Sequence, residues 1–564
     1  MGKIQFQAGP QGEPIWRDQP RQRSQPPVMS FTLTTPLYYV NDKPHLGSAY
    51  TTLACDAIAR YQRLQGRAVT FVTGTDEHGL KIQRTAAAAG MAPQAFCDRN
   101  SACFSNLWQA WGISQDRFIR TTAGPHRELV EQFFSRVEAK GDVLEGRQQG
   151  WYCVACEEFK DEAPEAVEPT CPIHQRPLEW RDEPNLFFRL SRYQERIEEL
   201  VRQEGFIAPA TRRREVENFV SRGLRDFSIS RIDLPWGIPV PGHPGHTFYV
   251  WFDALLGYLS ALLDPTAPVN LDQLEARGWP AQLHVIGKDI LRFHAVFWPA
   301  MLMSADLPLP ARVFGHGFLT REGQKMGKSL GNVLDPEALL EQCGRDAVRW
   351  YLLRDIPFGE DGDFQQKRFS DLVNNDLANT IGNLLNRSVS MSRKWFAGAV
   401  PPSGTGAAKD HLLAIASDQA AHRFDAAMEQ LDFRSAAEAL LGLAETANGY
   451  LNDQAPWVRM KQPNQEEAVG ADLYAVLESC RWIGVLLTPL LPDLSSRMLQ
   501  QLACPTIPCD AFYPPHTHRE DAVASATAAA ETWRLARQWG GLSPLSLLPA
   551  ASPVMQRLEL PDPL

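Results

Sequence analysis

A buried strand, a tight turn and an amphipathic helix follow one another early in this sequence, and that succession narrows the architecture sharply. Phe31 to Leu37 is a short apolar run, and Asn41-Asp42-Lys43-Pro44 is turn chemistry. Beyond Gly47, residues Leu53, Ala54, Ala57, Ile58, Tyr61 and Leu64 recur at helical spacing, and Val69 to Thr73 reads as the next strand. A strand–helix–strand start predicts an α/β fold with a doubly wound parallel sheet, whose ligands gather at the carboxyl ends of the strands. Leu283 to Gly287 and Val313 to Phe318 are expected as later strands of that sheet. His45 falls where the first strand turns into the helix, beside the small residues Gly47 and Ser48. A helix N-terminus offers unpaired N–H donors and a positive dipole end, which suit a phosphate.

A chain of 564 residues holds three or four domains with sizeable cores. No run approaches the ~20 apolar residues that span a bilayer, and no signal peptide opens the sequence, so a cytoplasmic protein without a membrane partner is expected. The net charge of -10 does not exclude a nucleic-acid partner, because only a contact surface needs to be basic. One stretch is locally basic: Arg212, Arg213, Arg214, Arg222, Arg225 and Arg231 stand against Glu215, Glu217 and Asp226.

Ten cysteines are too sparse for a secreted disulfide framework. Three of them, with one histidine, form Cys153-x-x-Cys156 and Cys171-x-x-His174, separated by fourteen residues. Paired knuckles of this spacing place four ligands tetrahedrally around zinc and leave no open position, so one structural Zn²⁺ per chain is expected.

Changes in composition divide the chain. Residues 1–29 are rich in Gln, Pro and Arg without apolar periodicity, which predicts a disordered extension or a true start at Met29. Residues 30–145 and 215–330 are expected as two halves of the sheet domain, interrupted by a zinc-binding insertion at 146–214. A linking segment at 331–371 leads to a helical domain at 372–510, where Ala436, Leu440, Leu443 and Ala447 share one face. Residues 511–564, rich in Pro and Ala with weak periodicity, are expected as a tail.

A second motif sits about a catalytic domain downstream of His45. Lys325-Met326-Gly327-Lys328-Ser329 places two lysines on a loop flanked by Gly323 and Gly331. Together with Pro44-His45-Leu46-Gly47-Ser48, it resembles the paired nucleotide signatures of class I aminoacyl-tRNA synthetases. Thr34-Thr35-Pro36-Leu37-Tyr38-Tyr39-Val40-Asn41, Thr73-Gly74-Thr75-Asp76-Glu77-His78-Gly79 and Tyr249-Val250-Trp251-Phe252-Asp253-Ala254 narrow the resemblance to the methionyl-tRNA synthetases. Gly287-Lys288-Asp289-Ile290-Leu291-Arg292-Phe293-His294 does the same. The likeness runs from about Ser30 to about Pro492. It departs from the family at Ser48, where a second histidine is usual, and at Gly327, where serine is usual.

The resemblance implies roles. His45, Lys325 and Lys328 are the catalytic candidates, stabilising charge on the ATP phosphates as pyrophosphate leaves. Ser48, Gly287, Lys288 and Asp289 join them at the ATP site, with Mg²⁺ accompanying the nucleotide. Leu37, Tyr39, Asp76, Trp251, Asp253, Ala254, Leu255, Tyr258, His294 and Phe297 match the amino-acid pocket, with Asp76 receiving the substrate ammonium. A polarizable thioether among aromatic edges suits methionine. Asn383, Arg387 and Trp457 match positions that read the CAU anticodon, and their amide, guanidinium and ring are groups that bond and stack unpaired bases.

The implied partners are ATP, L-methionine and tRNA(Met), including the initiator. A monomer is expected, since the chain stops short of the extra C-terminal domain found in dimeric members. Two rival readings are a class I synthetase for leucine, valine or cysteine, and a non-catalytic relative kept for RNA binding. The short insertion, lacking room for an editing domain, argues against the first. His45, Asp76 and the intact lysine pair argue against the second.

Overall fold

The computed structural model describes residues 30–154, 157–160, 169–171, 176–232, 234–326, 332–508 and 519–560. Cys156, His174, Gly327 and Lys328 therefore lie outside the described residues, as does the segment 1–29, and of Lys325 only the backbone is described.

Six parallel strands form the central sheet. In spatial order they are Arg117–Arg120 (β3), Ala68–Asp76 (β2), Ser30–Tyr39 (β1), Leu283–Gly287, Val313–His316 and Ile207–Ala208. The chain winds outward from β1 to β2 and β3, then returns to add Leu283–Gly287 on the other side of β1. That reversal opens a crevice at the carboxyl ends of β1 and Leu283–Gly287, where doubly wound sheets bind their ligands. Both later strands lie where the apolar pattern places them. Ile207–Ala208, within the stretch expected for the insertion, instead closes the far edge of the parallel sheet.

Pro36 interrupts the ladder between β1 and β2. The register runs Thr34↔Val72 and then Leu37↔Gly74, so β1 carries one extra residue. Proline donates no ladder hydrogen bond, and a bulge re-aims the residues after it. Leu37 thereby packs against Gly257, where even a Cβ would sit 2.3 Å from its Cδ1.

The interruption of the sheet domain is built on a long antiparallel pair, Val143–Cys153 with Glu179–Phe188, flanked by Glu158–Lys160 and Phe227–Ser228. After residue 332 the chain is mainly helical, with Phe433–Gln454 and Glu466–Leu487 the longest elements. The expected tail contains a helix, Arg519–Ala536, which packs back against the helix after β1. The buried Arg481–Glu478 pair clamps the chain just beyond that helix: Arg481 donates to the Gln538 carbonyl at 2.7 Å, and Glu478 accepts from the N–H groups of Gly540, Gly541 and Leu542. No described helix is long and apolar enough to cross a membrane.

The helix after β1, Leu46–Leu64 (α1), is buried along almost its whole length. At its centre lies Asp56. Its Oδ2 accepts from Arg60 at 2.8 Å and from Arg349 of helix Arg345–Arg354 at 2.7 Å, and its Oδ1 accepts from the N–H and hydroxyl of Ser114 at 2.7 Å each. Burial alone would raise the carboxyl pKa, but the charges of Arg60 and Arg349 outweigh it and hold the group far below its ordinary value. Arg349 also donates to the Leu490 carbonyl at 2.7 Å, so one carboxylate joins the sheet domain to the helices. Asp56→Ala removes the counter-charge of the buried Arg349, a change that typically costs ~3–5 kcal/mol. A lowered denaturant midpoint is expected for Asp56→Ala, with the apolar pair Asp56→Leu/Arg349→Met lying closer to wild type.

Candidate active site

Four functional segments leave the carboxyl ends of neighbouring strands and meet in the crevice. β1 delivers Tyr39 and then His45, β2 delivers Asp76 to Gly79, Leu283–Gly287 runs into Lys288 and Asp289, and Val313–His316 ends beside α1.

His45 is the N-cap of α1. Its Nδ1 accepts from the Ser48 N–H at 3.3 Å, which leaves the ring proton on Nε2. Nε2 lies 3.4 Å from Ser48 Oγ, and His45 as a residue is exposed. The ring folds back over the helix end because residue 47 is glycine: a Cβ there would come within 3.0 Å of the ring. Behind it, Thr51 and His316 form a buried pair at 2.7 Å, and burial lowers the His316 pKa to about 4.

Asp76 ends β2 in a buried setting, and its Oδ1 has no hydrogen-bond partner. Its pKa is pushed well above the carboxylate range, first by burial and then by the charges of Asp253 and Glu157, with Glu77 adding to them. Asp253 is the opposite case. His78 Nδ1 meets one of its oxygens and His126 Nε2 the other, each at 2.6 Å. Burial raises its pKa, but these two rings more than offset that and hold it at about 2. With both oxygens engaged, Asp253 offers the crevice a fixed negative charge rather than a free acceptor. His126 is in turn held by Ser260 at 2.8 Å. His126 carries no signal in the sequence, whereas His78 lies within the Thr73–Gly79 motif.

The aromatic wall is built by helix Val250–Leu255 and the π-turn Phe293–Phe297. Trp251 lies flat on Phe293, with centroids 3.9 Å apart, and meets His294 edge-on. Phe297 sits behind, stacked on Phe227 at 4.6 Å. Phe293 is thus the ring that sequence periodicity misses. Tyr258 donates to His294 Nε2 at 2.8 Å, since His294 Nδ1 donates to the Ile290 carbonyl at 3.1 Å. Burial lowers the His294 pKa to about 4, so the ring is neutral. Ala254 and Leu255 are buried. Tyr39 donates to the His78 carbonyl at 2.9 Å and to Glu157.

On the nucleotide side, a Cβ at Gly287 would lie 2.5 Å from Asp289 Oδ1 and displace that carboxylate. Lys288 pairs with Asp361 at 2.7 Å and lies over the Phe318 ring. Lys325 pairs with Thr320 in a short hairpin that leads into the lysine loop.

Two further expected sites lie apart from the crevice. Cys153 and Cys171 are buried in one small cluster with Leu178, and neither is in a disulfide. The Cys171 N–H donates to the Arg176 carbonyl at 2.8 Å, and Thr170 bridges Pro177. Among the described residues no group of three metal ligands is present, Cys156 and His174 being outside them. On the helical domain, Arg387 lies over the Trp457 ring at 5.6 Å and donates to Asn452 at 3.1 Å. Asn383 is exposed one turn away, and 38% of Trp457 is open to solvent.

A family described as class I tRNA synthetases (M) matches residues 31–177 and 162–389, and the anticodon binding domain of methionyl tRNA ligase matches residues 400–520. The methionine–tRNA ligase of Synechocystis sp. is 51% identical over 537 residues, 95% of this chain and 98% of the relative. The chain belongs to the class I methionyl-tRNA synthetases.

The chloroplastic/mitochondrial methionine–tRNA ligase of Arabidopsis thaliana is 47% identical over 94% of this chain and 83% of its own. The structure of Mycobacterium tuberculosis methionyl-tRNA synthetase in complex with methionyl-adenylate superposes with a TM-score of 0.84 at 40% identity, covering 94% of this chain and all of that one. The chain is a ligase: it activates L-methionine with ATP to methionyl adenylate, releases pyrophosphate, and transfers the methionyl group to the 3′ end of tRNA(Met). The expected fold and activity hold, and the leucine, valine and cysteine alternatives fall away.

Proposed function

We propose that the crevice divides the work of this ligase among the residues just described. The observation that carries the reading is Asp76, a buried carboxylate with one unpartnered oxygen amid other negative charges. Such a group is costly to bury alone, and the substrate ammonium is the cation that would neutralise it. Asp253, fixed by His78 and His126, adds attraction without competing for the same contact. Trp251, Phe293, Tyr258 and the neutral His294 surround the thioether, where polarizable sulfur gains from ring edges. Leu37 and Tyr39 close the pocket from β1.

ATP enters as its magnesium complex, with Gly287, Lys288 and Asp289 at the nucleoside edge. The methionine carboxylate attacks the α-phosphorus, forming the P–O bond of the adenylate as the bond to pyrophosphate breaks. His45 donates from Nε2 to the phosphates, and Ser48 offers a hydroxyl alongside. Lys325 and Lys328 close over the leaving pyrophosphate, whose added charge they stabilise in the transition state. Asn383, Arg387 and Trp457 form the surface that meets the anticodon of elongator and initiator tRNA(Met).

Cys153, Cys156, Cys171 and His174 would hold a zinc ion. The two described cysteines fit, being buried together in one small cluster. With four protein ligands the metal supplies folding energy to a segment with little core of its own. Action as a monomer in the cytoplasm completes the reading. One copy contains every residue invoked, and none of the eight described cysteines is in a disulfide, as a reducing compartment favours.

Methionine-dependent pyrophosphate exchange tests the reading through Asp76. The ammonium binds the ionised carboxylate, and the free enzyme holds that group protonated to an unusually high pH. Methionine affinity is therefore expected to fall as pH drops through this raised pKa, by up to about tenfold per unit. Asp76→Asn should abolish that dependence along with most of the exchange. A flat affinity profile in the wild type would remove Asp76 from ammonium binding.

His45→Ala is expected to slow adenylate formation by ~10²–10³, the usual loss for one positioned donor. Ser48→Ala should cost less than about tenfold, because the Ser48 N–H, and not its hydroxyl, sets the His45 tautomer. Rapid-quench bursts of the two variants discriminate between them. Trp457→Ala and Arg387→Ala should impair charging of tRNA by the ~1–3 kcal/mol of a lost stacked base, while exchange stays intact. Normal charging by both variants would place the anticodon reader elsewhere.

A further inference from the structure

The residue after the second knuckle cysteine reaches into the wall of the amino-acid pocket. Glu157 follows Cys156 directly, is buried, and has φ of +53°, a left-handed conformation that a glutamate adopts only when its surroundings impose it. Three elements of the crevice hold it. Its Oε2 accepts from the Tyr39 hydroxyl, and its Oε1 accepts from the Lys81 N–H at 2.7 Å in the first turn of helix Leu80–Ala88. Its backbone carbonyl accepts from the Tyr249 hydroxyl at 2.7 Å, one residue before the helix that carries Trp251.

The fit leaves no slack. A Cβ on Gly79 would fall 2.5 Å and 2.7 Å from the two Glu157 oxygens and 2.6 Å from Tyr39 Oη. The carboxylate also caps a helix whose N-cap, Gly79, has no side chain to do so.

We propose that Glu157 is a positioning residue for the methionine pocket: from the base of the knuckle it fixes Tyr39 and the start of the helix after Asp76, so that folding of the knuckle and affinity for methionine are linked. The inference rests on the reading of Tyr39 as a pocket residue and of the knuckle as a zinc site. It assigns to the insertion a defined effect on amino-acid binding. The carboxylate takes no part in the reaction. One of its hydrogen bonds holds the Tyr39 hydroxyl, and the other holds the first turn of the helix after Asp76.

The test is a double-mutant cycle in the full chain, Glu157→Gln with Tyr39→Phe, read as methionine and ATP KM in pyrophosphate exchange, with zinc content measured on each protein. An amide satisfies only one of the two donors. Glu157→Gln should therefore raise methionine KM about tenfold, as loss of a hydrogen bond to a charged group does, and change ATP KM less than about twofold. In the Tyr39→Phe background the same substitution should add less than about twofold. A loss of charge near Asp76 would persist in that background, so the cycle separates positioning from electrostatics. Cys171→Ser, losing the metal, should raise the equilibrium dissociation constant for methionine in the wild type and much less in Tyr39→Phe. Unchanged methionine KM in zinc-replete Glu157→Gln, or additive effects in the cycle, would overturn the proposal. A wild-type chain without zinc that still shows the coupling would remove the metal assignment and leave the tie between Glu157 and Tyr39 standing.

Discussion

The Asp56 carboxylate is the contact on which the geometry of this enzyme turns. It sits on the helix that begins at His45, and it is gripped by an arginine whose own second partner is the carbonyl of Leu490. A helix anchored only at its ends could tilt and carry His45 away from the crevice. Anchored at its middle, it transmits the placement of the helical domain to the phosphate end. A buried ion pair is seldom the most stable filling for such a place, since apolar residues of equal volume often do as well. What the charge provides is direction: Arg60, Arg349 and Ser114 all converge on one carboxylate, and only one docking of the two domains satisfies them. Arg345 with Asp493 and Arg497 with Asp346 reinforce that seam nearer the surface.

Charge also explains the pocket. Asp253 and Glu157 lie close enough to Asp76 that their charges disfavour its ionisation. Two histidines hold Asp253 ionised, whereas a helix N–H and a tyrosine only partly offset the burial that raises the Glu157 pKa. Asp76 has no such help for its Oδ1. The fold thus leaves one debt of positive charge in the crevice, which under the proposed function the substrate ammonium meets. On that proposal, selectivity for a zwitterion follows from the deficit, and selectivity for methionine from the rings beside it.

Much of this was legible in the sequence because the signals are short and lie at strand ends. Pro44 to Ser48, Thr75 to His78 and Gly287 to Asp289 each lie at or just beyond the carboxyl end of one strand, so local reading places them together once the sheet is doubly wound. The long-range partners were not legible. His126 and Asp253 are 127 residues apart, and Tyr39 and Glu157 are 118 apart, with no local pattern to mark either pair. Phe293 escaped for a different reason. Its turn is π-helical, which rotates residues away from a period of 3.6 and brings Phe293 rather than Phe297 over Trp251. Helix Arg519–Ala536 escaped because alanine marks no clear face, and Trp533 alone supplies its large buried ring.

The departures from the family pattern at Ser48 and Gly327 read differently once the helix end is in view. At position 48 the backbone, rather than the side chain, fixes His45, because the N–H at that place would be donated to Nδ1 whatever residue stood there. The side chain then decides only what lies beside Nε2: a hydroxyl here, where a second imidazole is usual. A hydroxyl is smaller and uncharged, yet it can both accept from the ring and donate to a phosphate oxygen. The first histidine keeps its tautomer and its donor, and the second position can vary in strength without changing what the site is built to hold. Glycine in place of serine at position 327 keeps the spacing of the two lysines along the sequence, so the charges of the motif are preserved. In both motifs the elements that set geometry or carry charge persist, and the change falls on a group whose part is auxiliary.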